Sequence, residues 1–280
     1  MDSRLPKNLP KCICGHDEYE VVHKGEWVDR EGELNFSILR CLNCNLLRTF
    51  SVPKETIATD EEIEHRLKNL KLWQSFGEEL IELIKRYQEN KKLKVLDIGC
   101  NLGIFVKLAE ENEWEAVGID TDEKVIKLGR GKFRVNLRNT KLEDAEFKSN
   151  EFDVVVLEHT LEHIFEPLKL IKIIRKILKR GGIIVIRVPN VEGLPVKIQN
   201  LRGEIWYGYN PRQHVWHFTQ KTLRQLLENE GFEILELQAN NPMHYEKTGS
   251  FWDVPRDLIL KFSGLLGLAD QITLVASPQK

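Results

Sequence analysis

Nothing in this chain reads as a membrane anchor. No run approaches the roughly 18 consecutive apolar residues of a spanning helix, and the opening MDSRLPKNLPKC has no apolar signal-peptide core. A cytoplasmic location with reduced thiols and no membrane partner is the expectation. Excess charge is missing too. The net charge is −2, with 30% charged residues of both signs, so there is no global attraction to nucleic acid. Internal repeats and low-complexity tracts are absent. Cysteine is scarce and unevenly spread: of five, Cys12, Cys14, Cys41 and Cys44 fall in the first 44 residues and Cys100 stands alone. A chain of 280 residues that is 41% hydrophobic can bury a large core, and the cysteine distribution adds a small second unit.

That unit spans residues 1–52. EYEVVHK and NFSILRC alternate as short strands do, with a charged turn between them. So small a unit buries little core and needs a staple. Cys12-x-Cys14 and Cys41-x-x-Cys44 place four thiols on two knuckles, the arrangement tetrahedral zinc takes, so a structural zinc ion is expected there. His16 is an alternative fourth ligand. Residues 53–92 read as a linker followed by one or two amphipathic helices, a helical lid.

From Leu93 the pattern alternates. LKVLDI, EAVGID, FDVVVLE and GGIIVIRVP read as apolar strands, with FRVNL weaker; GIFVKLAEEN, DEKVIKLGR and PLKLIKIIRKILKR read as helices. Repeated βα units with apolar strands predict a parallel sheet covered on both faces, an α/β doubly wound fold. Later come a helix capped by Thr219 and stopped at Gly231, and two strands, FEILELQA and ITLVAS. The first βα turn, GCNLG, lies where such sheets bind ligands. It is not a phosphate loop, because Ile104-Phe105 follows Gly103 where Lys-Ser/Thr would be needed, and it is one residue short of a dinucleotide turn.

VLDIGCNLG instead resembles motif I of the class I S-adenosylmethionine-dependent methyltransferases. The likeness continues through VGID, whose Asp120 falls 21 residues after Gly99, through the segment from LEDAEF to RVPN, and through HFTQKTLRQLLENEGFEI. It covers about residues 93–277, within a domain read as 93–280, and implies a seven-stranded, mostly parallel sheet of Rossmann-like form. It also implies that Asp97 lies near the cofactor's amino group and that Gly99, Cys100 and Gly103 cradle its methionine part. Asp120 would hold the ribose with Thr121 beside it, Leu142 and Glu143 would flank the adenine, and Glu158 and His159 would line the floor. Asn101 stands where a central glycine is usual, and Lys141 where an acid often meets the adenine. Cys100 reads as a small apolar filler. A four-cysteine unit ahead of this fold is similar to the arrangement in some sugar C-methyltransferases.

Methyl transfer requires an aligned acceptor and, for a hydroxyl or carbon acid, a base. His159, His163, His214 and His217 are the catalytic candidates. HTLEH resembles a Glu-x-x-Glu-His form that holds a divalent metal in some members, with His159 at the first Glu position. A metal there and a purely structural Glu162–His163 pair both stay open. Residues 190–218 carry five aromatics in a long connection without a sheet position, expected to cap the acceptor pocket. The expected acceptor is a small molecule, such as a sugar nucleotide or a hydroxylated metabolite. Nucleic acid is a disfavoured partner, an RNA methyltransferase docking through the cysteine unit is the alternative, and a cofactor-binding module without transfer is a third reading. Sequence says nothing of oligomeric state.

Overall fold

A computed structural model describes residues 9–29, 32–50, 59–90, 92–202, 205–240, 263 and 266–279. The expected linker at 51–58 and the charged turn at 30–31 lie outside the described residues. Among the described residues no helix is long and apolar enough to cross a membrane.

The dominant layer is a seven-stranded sheet. Its strands are β4 (Lys94–Ile98), β5 (Glu115–Asp120), β6 (Leu137–Asn139), β7 (Phe152–Glu158), β8 (Leu178–Pro189), β10 (Phe232–Asn240) and β11 (Gln271–Pro278). Their order is β10-β11-β8-β7-β4-β5-β6. β4 pairs parallel with β5 and β7, and the parallel ladder continues to β6 and β8, whereas β11 is antiparallel to both its neighbours. The central strands are apolar on both faces because helices cover both: Val154, Val155, Val156 and Leu157 are fully buried. The order reverses at β4, so the carboxyl ends of β4, β5 and β7 open a crevice there.

The helices follow their caps. α1 (Asp60–Lys68) starts at a Thr59–Glu62 capping box, with three acids in its first turn and basic residues in its last. α2 (Leu70–Lys85) follows almost directly. α3 (Ile104–Glu111) and α4 (Glu123–Phe133) link β4 to β5 and β5 to β6, and Asp122 caps α4. α7 (Gln220–Asn229) has the expected Thr219 cap, and Gly231 turns away at φ 76°. α5 (Pro167–Ile177) is shorter than PLKLIKIIRKILKR suggests. Leu178 pairs with Phe152, and the Asn150 and Glu151 amides bond the Lys176 and Ile177 carbonyls, which draws the end of the lysine-rich segment into β8. Sheet pairing overrides helix propensity here.

The cysteine unit is a second, antiparallel sheet of β1 (Tyr19–Asp29), β2 (Gly32–Cys41) and β3 (Leu47–Phe50), completed by β9 (Trp216–His217). The 190–218 connection therefore has a sheet position: Leu47 faces His217 and Arg48 faces Trp216. It also carries α6 (Leu194–Leu201). Trp206 and Tyr209 from this connection are buried against Phe36 and Ile38 of β2, so these aromatics pack the cap onto the small sheet.

Candidate active site

The crevice at the strand-order reversal holds a cavity of about 700 Å³. Its floor is the turn after β4. Gly99 sits at φ 76°, and a Cβ there would lie 2.3 Å from Thr160 Oγ1, so only glycine fits. Asn101 takes a left-handed φ of 48°, which its short polar side chain tolerates: its Oδ1 accepts the Leu102 amide at 2.9 Å. The replaced glycine thus keeps a glycine-like backbone. Gly103, also left-handed, precedes α3 and faces Leu137 and Val135 in the core rather than the cavity. Cys100 is buried, its sulfur nested against Gly118, as befits an apolar filler.

Asp97, Asp120 and Glu158, from the ends of β4, β5 and β7, converge on this cavity. Asp120 Oδ2 accepts the Asn101 amide and Oδ1 the Asp122 amide, each at 2.9 Å. That orients the carboxylate and leaves a lone pair free on each oxygen. Burial first, and then the charges of Glu158 and Asp120, push the Asp97 carboxyl up to about 8. Burial raises Asp120 as well. Arg187 lies beneath, 3.6 Å from Glu158 Oε1, while Glu158 Oε2 has no hydrogen-bond partner. A site that strains several carboxylates in this way favours a cation. Thr121, Lys141, Leu142 and Glu143 complete the β5–β6 side, so of the ten residues expected at a cofactor all but Gly103 line the cavity.

The remaining wall comes from the segment read as a helical lid, through residues that the sequence does not single out. Glu62 and Arg66 of α1 and Trp73, Phe76 and Gly77 of α2 line it. The Arg66 guanidinium lies 5.4 Å from the Trp73 ring centroid. Desolvation lowers the Arg66 pKa, opposed by Glu62 and Asp120. Gln213 Nε2 donates to Glu62 Oε1 at 3.2 Å, tying α1 to the cap connection. The amphipathic pattern of α1 and α2 signals a covering segment, but not which of its side chains face the cavity.

The four candidate histidines divide. His159 and His163 line the cavity; His214 and His217 do not. His159 holds a left-handed φ of 48°. Its Nδ1 is 3.4 Å from Glu162 Oε1, and the side chain is 43% exposed. Desolvation lowers its pKa, but Glu162 outweighs this and raises it to about 9. His217 is buried, its Nε2 within 2.8 Å of Thr49 Oγ1, and desolvation takes it down to about 3. It joins the cap to β3. His163 Nδ1 donates to the Gln213 carbonyl (3.2 Å) and His214 Nδ1 to that of Gly208 (2.8 Å). In the neutral form of either ring these bonds put the proton on Nδ1 and the lone pair on Nε2. Glu162 is 1% exposed, and neither of its carboxylate oxygens has a hydrogen-bond partner. Ligand atoms of Glu162, His163 and His214 lie within 4.8 Å of one another.

In the cysteine unit, Cys12 and Cys44 bring their sulfurs to 3.5 Å and Cys14 and Cys41 to 3.6 Å. All four sulfurs lie within 4.8 Å of one another. His16 is not in the cluster, and pairs with Glu18 at 3.4 Å instead. Hydrogen bonding with Cys12 drives the Cys44 thiol down to about 5, while Cys12 is raised.

Comparison with known proteins follows the same outline. A family model described as methyltransferase domain matches residues 69–237. An uncharacterized protein of Methanocaldococcus jannaschii is 32% identical over 130 residues, 45% of this chain and 56% of that one. The ubiquinone biosynthesis O-methyltransferase of Hydrogenovibrio crunogenus is 32% identical over 108 residues, 36% of this chain and 45% of that one. The chain thus spans about half the length of these relatives. A crystal structure of a SAM-dependent methyltransferase from Archaeoglobus fulgidus overlays with a TM-score of 0.54 at 21% identity, covering 76% of this chain and 99% of that one. This supports the fold.

Proposed function

The chain belongs to the methyltransferase domain family, and from that premise we propose that it is an S-adenosylmethionine-dependent methyltransferase acting on a small-molecule acceptor. The observation that carries the reading is the charge of the cavity. Asp97 and Asp120 flank a glycine turn and are held where burial disfavours their ionisation, and Glu158 adds a third carboxylate to the same cavity, so a ligand with positive charge relieves the site. When bound, the cofactor supplies an electrophilic methyl group on a sulfonium. Asp120 offers its free lone pairs to the ribose hydroxyls, Asp97 faces the amino group, and Arg66 is placed for the carboxylate. Leu142 and Glu143 flank the adenine, and Trp73 and Phe76 keep water out. His163, whose neutral tautomer carries its lone pair on Nε2, is the cavity-lining base when no metal occupies that atom.

Calorimetric titration with S-adenosylmethionine tests this. Binding is expected, with a loss of about 100-fold in Asp120→Ala, the worth of two charged hydrogen bonds. No binding, or unchanged binding in the variant, sinks the reading. Turnover of an acceptor from a metabolite extract, read by mass spectrometry, separates an enzyme from a module that only binds cofactor. RNA affinity falling steeply with salt would favour the RNA alternative.

Two metal assignments accompany this reading. The sulfur spacings fit a tetrahedral Zn–S₄ site, whose edges are about 3.8 Å for 2.3 Å bonds, so Cys12, Cys14, Cys41 and Cys44 hold a structural zinc ion. Undiminished zinc in a Cys41→Ser, Cys44→Ser protein would remove it. As an alternative use of the same histidine, Glu162, which makes no hydrogen bond but lies 3.4 Å from His159 Nδ1, forms a second donor set with His163 and His214, whose carbonyl-anchored Nδ1 atoms are the usual outer support of ligating histidines. A divalent ion there would supply Lewis acidity toward an acceptor oxygen. Mn²⁺ titration of the zinc-loaded protein, with binding lost in Glu162→Gln, is the expected result.

A further inference from the structure

A second cleft, of about 670 Å³, runs between the cysteine unit and α5 and shares Phe165 and Glu166 with the cofactor cavity. One side is set by the periodicity of α5. Lys169, Lys172 and Lys176 follow at i, i+3 and i+7, so they form one exposed stripe along the helix. Lys11 of the cysteine unit stands across from them. Between the lysines the floor is apolar, made by the half-buried Ile13, Leu168 and Ile173. Glu166, at the shared end, is the only acid lining the cleft among the described residues.

The lysines are weakly engaged. Lys169 approaches Glu143, and Lys172 approaches Glu230, only to 3.9 Å. Four cations above an apolar floor, beside the donor cavity at Phe165 and Glu166, suit a ligand with a multiply charged anionic group and a less polar body. The volume lies within the range of small-molecule sites. Phe165, 42% exposed, lines both, so a molecule seated along the stripe ends beside the donor cavity.

The geometry points to this cleft as the acceptor's anchoring site, taking a phosphorylated small molecule, of nucleoside-diphosphate type, by its phosphates. This deepens the methyltransferase reading and rests on it only for what happens at the Phe165 end. The basic stripe is local, which is how a chain of net charge −2 selects an anion at one place without a general affinity for polyanions.

Inorganic pyrophosphate titrated into the full chain, with S-adenosylmethionine titrated into the same samples, tests it. Pyrophosphate is expected to bind the native protein and to lose about tenfold in affinity in Lys172→Glu, Lys176→Glu, with the S-adenosylmethionine isotherm unchanged. That unchanged isotherm also certifies folding. Absent pyrophosphate binding, or equal affinity in the variant, overturns the proposal. So does an oligonucleotide whose affinity grows with length far beyond that of pyrophosphate, since the occupant would then be a polymer. If S-adenosylmethionine alone fails to bind the native protein, the donor reading falls while the pyrophosphate result stands by itself.

Discussion

Two clefts meet at Phe165 and carry opposite charge. The donor cavity is lined by Asp97, Asp120, Glu158 and further acids, the α5 cleft by four lysines and one acid. They are also built differently. The acidic groups sit at or near strand ends, Asp97 buried, Asp120 held by two backbone amides and Glu158 against Arg187, whereas the lysines stand exposed on a helix. A fixed, desolvated charge interacts strongly and over short range, and an exposed one weakly and in a way that salt screens. The donor site should therefore discriminate by geometry and protonation, and the α5 cleft by charge alone.

The sharpest break in that contrast comes from Gly99. Its φ of 76° and the 2.3 Å approach to Thr160 Oγ1 leave no room for a side chain. Gly99→Ala is expected to abolish measurable S-adenosylmethionine binding and to lower Tm by about 5 °C, for a strain of about 2 kcal/mol. Pyrophosphate binding should survive, as read by calorimetry on the same protein. Loss of both would mean that the clefts are not independent.

Protonation supplies the next contrast. The Asp97 carboxyl lies at about 8 in the folded protein against 3.8 otherwise. Between those values the folded chain holds a proton that the unfolded chain has released, so this group favours folding at low pH and its contribution is lost as pH rises toward 8. The ligand-free protein should lose stability over pH 5–8, by at most about 1.4 kcal/mol per unit from this residue. Asp97→Asn should flatten that slope in urea denaturation. A cationic ligand lowers the same pKa, so S-adenosylmethionine affinity should rise with pH over this range. An equal slope in the variant would contradict the assignment.

The parallel half of the molecule is legible because its strands are continuous apolar runs and its turn residues obey strict backbone rules. Even Asn101 for glycine makes sense once its left-handed φ is seen. Asp97, Asp120 and Glu158 are singled out by the family resemblance rather than by backbone rules, and all three line one cavity from the carboxyl ends of β4, β5 and β7. What sequence does not reveal is long-range pairing between very short segments. β3 has four residues and β9 two, and they meet across 170 positions, from Leu47 to His217. Neither has enough alternation to announce a strand, so His217 reads as catalytic when it is a buried tie to Thr49. Arg66, Trp73 and Phe76 escape for another reason: helical periodicity tells which face is covered, but not whether it covers core or ligand.

Arg66 divides the donor site itself. If it holds the carboxylate, Arg66→Ala should weaken S-adenosylmethionine about tenfold, the worth of one charge-assisted hydrogen bond. Affinity for 5′-methylthioadenosine, which lacks the amino-acid part, should stay the same. Equal loss for both ligands would instead assign Arg66 to packing on Trp73.

The smallest effect is the most direct measure of how the two clefts differ. Raising salt from 0.05 to 0.5 M shortens the Debye length from about 14 Å to about 4 Å. Exposed lysine–phosphate contacts weaken under that change, and pyrophosphate affinity is expected to fall several-fold. The donor carboxylates act over hydrogen-bond distances inside a buried site, where mobile ions do not enter, so S-adenosylmethionine affinity should change by less than about twofold. Calorimetry at the two salt concentrations gives both numbers. If the donor site proved as salt-sensitive as the α5 cleft, its carboxylates would be working as an open electrostatic surface, and the burial that raises Asp97 would not persist in solution.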